Sequence, residues 1–483
     1  MTEPCDLSAV DLRRMIGARK LSPVELLASC RKRIDAVNPT LSAVVTIDEQ
    51  AEDHAHAAEQ AVMSGKQLGL LHGLPMGIKD LNETRGLRTT HGSLVYQDHV
   101  PAADDMVVAR IREAGGLITA KTNTPEFGAG ANTTNKVFGA TGNPFDPAKT
   151  CAGSSGGSAV ALATSMLPLC NGSDLGGSLR TPASFCGVVG FRPTPGRVPT
   201  DRTTHYGHLS VEGPMGRTVA DVGLLLAAQV AADQRDPIAA PAFAGSKAAR
   251  GLASPRPADL ATLKVAFSDN LGGAVPIARA LRETFGRRMA RIAPLFGQAE
   301  ERHPPLADAQ PIFDVLRAVG FVAAHREAHY DKHRDKLGPN VINNVEKGLK
   351  LGVEEIAKAQ VANAQLYRRF LGFMDDLDLF ICPAASVSPF DKTKLYPTEI
   401  DGEPLASYTT WFAIASAITL TGHPSLVIPC GLDPLGMPFG IQLVGKRWGE
   451  AALLSIGLAL EAALADDSEC RRPLPDLAKL AQR

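Results

Sequence analysis

The sequence predicts an α/β protein, on three observations. From about residue 70 to 200, short apolar runs ending in Gly, Ser, Thr, Asn and Pro clusters alternate with helical stretches. That is the texture of strands whose end loops carry function. Further strand-like runs return after residue 373, and residues 276–372 between the two sets read as mostly helical. A length of 483 residues allows about three domains of ~150 residues each. The late strands argue instead for one domain over 1–483 with an inserted helical region.

Each element has its own signal. In residues 7–36, Leu12 and Ile16, then Val24, Leu26, Leu27 and Ile34, recur at helical spacing and predict two amphipathic helices. Ser22 before Pro23 reads as an N-cap followed by proline at the first helical position. Residues 51–66, rich in alanine and polar groups, predict a solvent-facing helix that completes an N-terminal helical segment, 1–66. A catalytic core over 70–225 follows, with strand-like runs in LPMGIKD, GLITAKTNTPEF, MLPLCNGSDLGGS and FCGVVGFRPT. Helices are expected at Asp105–Glu113 and Ser158–Thr164 between them. The Pro-, Ala- and Gly-rich stretch 235–259 predicts an irregular surface excursion, after which LKVAFS resumes a strand. In 373–483, DLDLFICPA, PSLVIPCG and GMPFGIQLVG predict strands that rejoin the sheet, and a helix is expected from about 449 to 465.

Composition narrows the function. Fifty Lys plus Arg against 51 Asp plus Glu give a net charge of −1. There is thus no basic field for nucleic acid and no polybasic membrane anchor. No run of about 18 apolar residues predicts a membrane span. The N-terminal stretch mixes acids and bases and lacks the apolar core of a signal peptide. The eight cysteines form no C-x-x-C pair and read as isolated buried thiols in a reducing, cytoplasmic setting. GAGANT lacks the third glycine of a dinucleotide loop, and no phosphate-loop motif exists, so no nucleotide cofactor is expected.

Three segments carry chemistry. Ser173-Asp-Leu-Gly-Gly-Ser178-Leu-Arg-Thr-Pro182 sets a serine after two glycines in a tight turn. The N–H groups of Leu175, Gly176 and Gly177 there can converge on one point, as an oxyanion hole requires. A serine needs a base, and none of the twelve histidines lies in the Gly/Ser segments. Gly73-Leu-Pro-Met-Gly-Ile-Lys79-Asp80 offers a lysine at the end of an apolar run. A lysine amine, with a pKa of ~10.4 in water, works as a base only when burial lowers that value. Gly153-Ser154-Ser155-Gly-Gly-Ser158 supplies hydroxyls that can pass a proton between the other two.

Together the three segments resemble the amidase signature family, with its Ser–cis-Ser–Lys triad. The lysine of G-x-P-x-G-x-K-D matches Lys79, and the cis-peptide serine of G-S-S-G-G-S matches Ser154. The serine of D-x-G-G-S-x-R-x-P matches Ser178, at the family's spacing of 24 positions beyond Ser154. Lys121-Thr-Asn-Thr-Pro-Glu126, Gly142-Asn-Pro144, Cys186-Gly-Val-Val-Gly, Gly213-Pro-Met-Gly-Arg217 and the C-terminal strands continue the resemblance over most of the chain. Where the family often has Pro-Gly-Gly before Ser-Ser, this chain has Cys151-Ala152-Gly153.

The resemblance implies the amidase-signature fold, a large mixed, twisted central sheet flanked by helices, with the helical region 276–372 beside the substrate pocket. It implies catalytic Lys79, Ser154 and Ser178. It also implies hydrolysis of small-molecule amides through an acyl-enzyme without metal or cofactor, with anilides, carbamates and esters within reach of the same chemistry. Gly128, in the loop Gly128–Asn132, is expected beside the substrate, and the N-terminal helices are expected to offer a homodimer contact.

Other readings stand beside this one. Gly153-Ser-Ser155-Gly-Gly157 also fits the G-x-S-x-G elbow, with Ser155 as nucleophile and His423 as its histidine. The chain could be the glutaminase-type subunit of a tRNA-dependent amidotransferase, or an idle scaffold that keeps the fold for binding. His325, His329 and His333, at i, i+4 and i+8, read first as a polar face on an exposed helix. A metal site and a wall of the substrate entrance are the alternatives. Asp174 and Arg180 read as a brace beside the turn. Tyr396, Tyr408 and Trp411 are candidates for aromatic pocket walls or for core packing.

Overall fold

The computed structural model describes residues 3–201, 203–204, 206–240 and 251–482. At its centre, eleven strands form one sheet. In chain order they are β1 (Val44–Ile47), β2 (Pro75–Lys79), β3 (Leu117–Thr122), β4 (Leu169–Asp174), β5 (Val189–Arg192), β6 (Val211–Gly216), β7 (Lys264–Phe267), β8 (Gln298–Glu301), β9 (Leu379–Pro383), β10 (Ser425–Leu432) and β11 (Pro438–Val444). Their spatial order is β1-β3-β2-β4-β6-β5-β10-β11-β9-β7-β8. The sheet is mixed: β3, β2 and β4 run parallel, β4 to β9 through the centre run antiparallel, and β9, β7 and β8 run parallel again.

Burial explains the strands. Every residue of β2, β3, β6, β9 and β11 is buried, as in strands covered on both faces. The helices around the sheet and in the region 276–372 are α1 (Ala9–Gly17), α2 (Pro23–Leu41), α3 (Ala51–Met63), α4 (Met106–Glu113), α5 (Gly156–Ala163), α6 (Arg180–Cys186), α7 (Val219–Gln229), α8 (Arg279–Ile292), α9 (Ala309–His325), α10 (Pro339–Leu349), α11 (Val353–Phe373), α12 (Ala413–Leu420) and α13 (Glu450–Leu464). In α5, α6 and α12 every residue is buried, so these helices form the core of the molecule. Ser22 caps α2 in a full capping box with Glu25, with Pro23 in the first turn. All eight cysteines are buried and free.

One expectation needs correction and another an addition. The helix at 51–66 does form, but its alanines are not solvent-facing. Ala51, Ala55, Ala58 and Val62 are buried on one face, and the first three cluster with Leu27. The region 276–372 is mostly helical, as read, but it also holds β8, an unexpected polar strand pairing parallel to β7 at the sheet edge. Its sequence, Gln-Ala-Glu-Glu, carries no apolar alternation because that edge is half in solvent. The expected excursion at 235–259 falls partly on 241–250, outside the described residues. No helix among the described residues is long and apolar enough to cross a membrane.

Candidate active site

Three neighbouring strand ends build the site. β2 ends in Lys79, and the adjacent β4 carries Asn171 and Ser173. The next strand, β6, sets Glu212 directly opposite Ser173. Asn171 fixes the end of β2: its Oδ1 accepts the Lys79 N–H at 2.8 Å, and its Nδ2 donates to Asn82 Oδ1 at 2.8 Å.

The Lys79 side chain is fully buried. Its Nζ lies 2.6 Å from Ser154 Oγ and 2.9 Å from Ser173 Oγ. A neutral amine suits this pair of partners, since one N–H can donate to Ser173 while the lone pair accepts the Ser154 hydroxyl proton. Burial drives the amine toward that state, lowering its pKa to about 7 against the opposing pull of Glu212 and Asp174. Burial pushes the Glu212 carboxyl upward, opposed chiefly by Lys79.

Ser154 follows a cis peptide bond from Gly153. Just before it, Ala152 has a φ of 60°, a left-handed conformation that explains why glycine is common there in the resembling family. Ser155 occupies the N-cap position of α5 without a side-chain capping bond, and the next turn packs tightly. A Cβ on Gly157 would lie 2.3 Å from the Asn123 nitrogen. The Ser155 N–H donates to the Ser178 carbonyl at 3.2 Å, tying the two serine loops together. Ser154, Ser173, Leu175, Gly176 and Ser178 all face one cavity of about 1090 Å³.

The turn before Ser178 is held by Asp174. Its Oδ1 accepts the Gly177 N–H at 2.9 Å, and its Oδ2 accepts the Leu179 N–H at 3.1 Å. Gly177 is therefore not a free oxyanion donor, contrary to the sequence expectation. Among the described residues, the N–H groups of Leu175, Gly176 and Ser178 make no hydrogen bond. They remain available to a developing oxyanion. Gly177 has another use: its φ of +121° is one that side-chain-bearing residues rarely adopt, and a Cβ there would lie 2.6 Å from the Ala415 side chain.

Asp174 and Arg180 form the expected brace, enlarged by Arg192. Arg180 donates to both Asp174 oxygens at 2.9 Å, and all three side chains are fully buried. Burial alone would raise the Asp174 pKa; Arg180 and Arg192 outweigh it and hold the carboxylate well below its usual range.

The other candidates sort by position. Gly128 lines the cavity with a φ of +68°, and a Cβ there would lie 3.4 Å from Ser154 Oγ. The elbow reading does not fit. Ser155 is buried off the cavity, with its hydroxyl donating to the Ser173 carbonyl at 3.3 Å. His423 is buried elsewhere, with its Nδ1 on the Thr421 carbonyl and its ring against Phe370. The histidine face is not an exposed one. The helix breaks into a wider turn over Arg326–Tyr330, His329 is buried, and His325 lines the cavity. Among the described residues no cluster of three or more His, Cys, Asp or Glu side chains could hold a metal. Trp411 is core, packed on Phe185 and Phe390, and the cavity's aromatic lining includes Phe127, Phe321, Tyr367, Phe412 and Trp448 but neither Tyr396 nor Tyr408.

Ser173, Glu212 and Asn82 were not singled out from the sequence. Only Ser173 left a trace, as the polar residue closing the strand-like run before Asp174.

The family model for Amidase matches residues 25–454. The chain belongs to the amidase family. An acylamidase from Rhodococcus erythropolis is 30% identical to it, over 94% of this chain and 95% of that protein. A glutamyl-tRNA(Gln) amidotransferase subunit from Thermus thermophilus is 33% identical, over 95% of this chain and 97% of that protein. Among solved structures, a bacterial aryl acylamidase of the amidase signature enzymes superposes with a TM-score of 0.86 at 26% identity, covering 99% of each chain. The chain is thus an amidase-family hydrolase of carbon–nitrogen bonds, with the large mixed sheet of amidase signature enzymes.

Proposed function

We propose that this amidase cleaves small-molecule amides through an acyl-enzyme on Ser178. The observation that carries the reading is the buried Lys79 amine, 2.6 Å from a Ser154 hydroxyl that opens on the same cavity as Ser178.

Ser178 Oγ attacks the amide carbon, and the carbonyl π electrons move onto oxygen. The N–H groups of Leu175, Gly176 and Ser178 receive that oxyanion. The Ser178 proton passes to Ser154 Oγ as the Ser154 proton passes to Lys79 Nζ. When the C–N bond breaks, the relay runs backward and delivers the proton to the leaving amine. Water then takes the place of the amine, and the same relay deprotonates it to release the acid and restore Ser178. Apolar walls from Leu81, Phe127, Phe321 and Phe412 suit an aryl or alkyl group beside the scissile bond.

The test is turnover of purified protein on a panel of anilides, aliphatic amides and carbamates, repeated with Ser178→Ala. Hydrolysis that disappears in the variant is expected; hydrolysis that persists overturns the assignment. The likeness to an amidotransferase component supports a second reading, in which the chain releases ammonia from glutamine for a partner. Turnover limited to glutamine, with a second protein that co-purifies, would select it.

A further inference from the structure

On the far side of the oxyanion loop, α9 presents Phe313, Arg317 and Phe321 one turn apart toward the site. A Cβ on Gly176 would lie 2.9 Å from Phe313 Cζ, so α9 abuts the loop itself. Arg317, about 6 Å further along the helix axis, lines the cavity with Leu316, Gly320, Phe321 and Phe412.

Arg317 is only 6% exposed. A guanidinium this buried ordinarily faces a carboxylate. Among the described residues, none lies within ion-pair distance of it. Asp314, one turn back on the same helix, is engaged by Lys347, Gln310 and Thr409. Arg317 is instead oriented by neutral groups. Its Nε and Nη2 donate to Tyr408 Oη at 3.0 and 2.5 Å, and its guanidinium lies 4.5 Å from the Phe321 ring centre. Tyr408 is itself fixed by Asn344, which donates to the same oxygen at 2.8 Å. Nη1 makes no hydrogen bond among the described residues and is not among the atoms sealed from solvent. One titratable cavity group that feels Arg317, His325, is held neutral: burial, then His329 and Arg317, push its pKa down to about 3. The cavity's other guanidiniums, Arg368 and Arg447, belong to exposed residues, where water competes for them.

We infer that Arg317 is a substrate-recognition residue and selects amides with an apolar body that ends in a carboxylate. The inference rests on the amide-hydrolase reading above and names the substrate class of that site. A carboxylate entering between Phe321 and Phe412 would give Arg317 the anion it lacks, through charge-assisted hydrogen bonds in a place poor in water.

Two matched substrate pairs test this. Glutaryl-4-nitroanilide against valeryl-4-nitroanilide varies the charge on the acyl side. 4-Acetamidobenzoate against 4-methylacetanilide varies it on the amine side. At least one pair should show a kcat/KM ratio favouring the carboxylate by about 10- to 100-fold. That ratio should collapse in Arg317→Gln and be partly kept in Arg317→Lys, with circular dichroism and a thermal melt reporting whether each variant is folded. A ratio near one in both pairs, or a ratio unchanged in Arg317→Gln, overturns the inference. If the wild type turns over none of the four, calorimetric binding of the same pairs to Ser178→Ala separates the two ideas. Preferential binding of a carboxylate, lost when Arg317→Gln is added, keeps the subsite while the hydrolase reading fails. Equal or no binding removes the subsite.

Discussion

Lys79 Nζ and Ser154 Oγ lie 2.6 Å apart with no water-exposed surface on the lysine, although β2 and the loop before α5 are 75 positions apart in sequence. A charged ammonium there would be poorly solvated, and a neutral amine can take the hydroxyl proton. The sign follows. Burial lowers the Lys79 pKa to about 7, so on the proposed mechanism the working form is the one above that value. The kcat/KM for an amide should rise with pH through the neutral range and level off above it. A rate constant flat down to pH 5 would exclude Lys79 as the base. Lys79→Ala should lose about a thousandfold or more, by analogy with other removed catalytic groups.

Glu212 adjusts that same titration. It sits opposite Ser173 on the neighbouring strand, lines the cavity, and has one carboxylate oxygen buried with no hydrogen-bond partner. Its negative charge raises the Lys79 pKa. In Glu212→Gln that field is gone, so the acid limb of the kcat/KM profile should move to lower pH. Movement to higher pH, or none, would show that the carboxylate does not act on the lysine.

Ser178 and Ser155 separate in a labelling experiment. Ser178 opens on the cavity, whereas the Ser155 hydroxyl is buried against Ser173. A fluorophosphonate should label the wild type and Ser155→Ala but not Ser178→Ala. Ser155→Ala should cost about 1 kcal/mol of stability, measured by denaturant unfolding, for the lost hydrogen bond. Labelling of Ser178→Ala at another serine would reopen the identity of the nucleophile.

The placement of Lys79 against Ser154, and of Ser154 and Ser178 on one cavity, was legible because each stands in a contiguous run whose glycines and prolines set the backbone. The strands were legible where burial on both faces leaves a continuous apolar run, as in β9. What could not be read depends on register and on long-range packing. Glu212 meets the lysine's partner only because β6 lies beside β4. Arg317 reaches the cavity only because α9 packs on the Leu175–Ser178 turn. The Gly177 N–H looked free in sequence and is not, because Asp174 folds back three residues to take it. β8 escaped because a half-exposed edge strand needs no apolar pattern.

Asp174 joins stability to that loop. Its carboxylate binds Arg180, Arg192 and two N–H groups of the turn, with every side chain fully buried. Asp174→Asn leaves two buried guanidiniums short of their anion. Removing one partner of such a group costs about 3–5 kcal/mol, and the loop that positions Ser178 should loosen with it. Because the folded-state pKa is depressed, this stabilisation is present above the ordinary carboxylate value. It is lost as pH falls below about 3.8, toward the folded value. Chemical denaturation at neutral pH and near pH 3 should therefore show wild type and variant converging in acid. A gap that stays constant would assign the stability to other groups.

Gly128 offers a test of geometry without removing any reacting atom. Its φ of +68° belongs to the left-handed region, so alanine there carries backbone strain of roughly 1–2 kcal/mol. The added Cβ would lie 3.0 Å from Leu81 Cδ1 and 3.4 Å from Ser154 Oγ. Leu81 can swing its methyl aside. Ser154 is less free to move, because its hydroxyl is hydrogen-bonded to Lys79. Gly128→Ala should thus lower stability by about 1 kcal/mol and reduce kcat roughly tenfold, with a smaller change in KM. Fluorophosphonate labelling of Ser178 should slow in the same proportion, since on the proposed mechanism it draws on the same proton relay. Stability lost with kcat intact would make Gly128 a turn residue that merely adjoins the site.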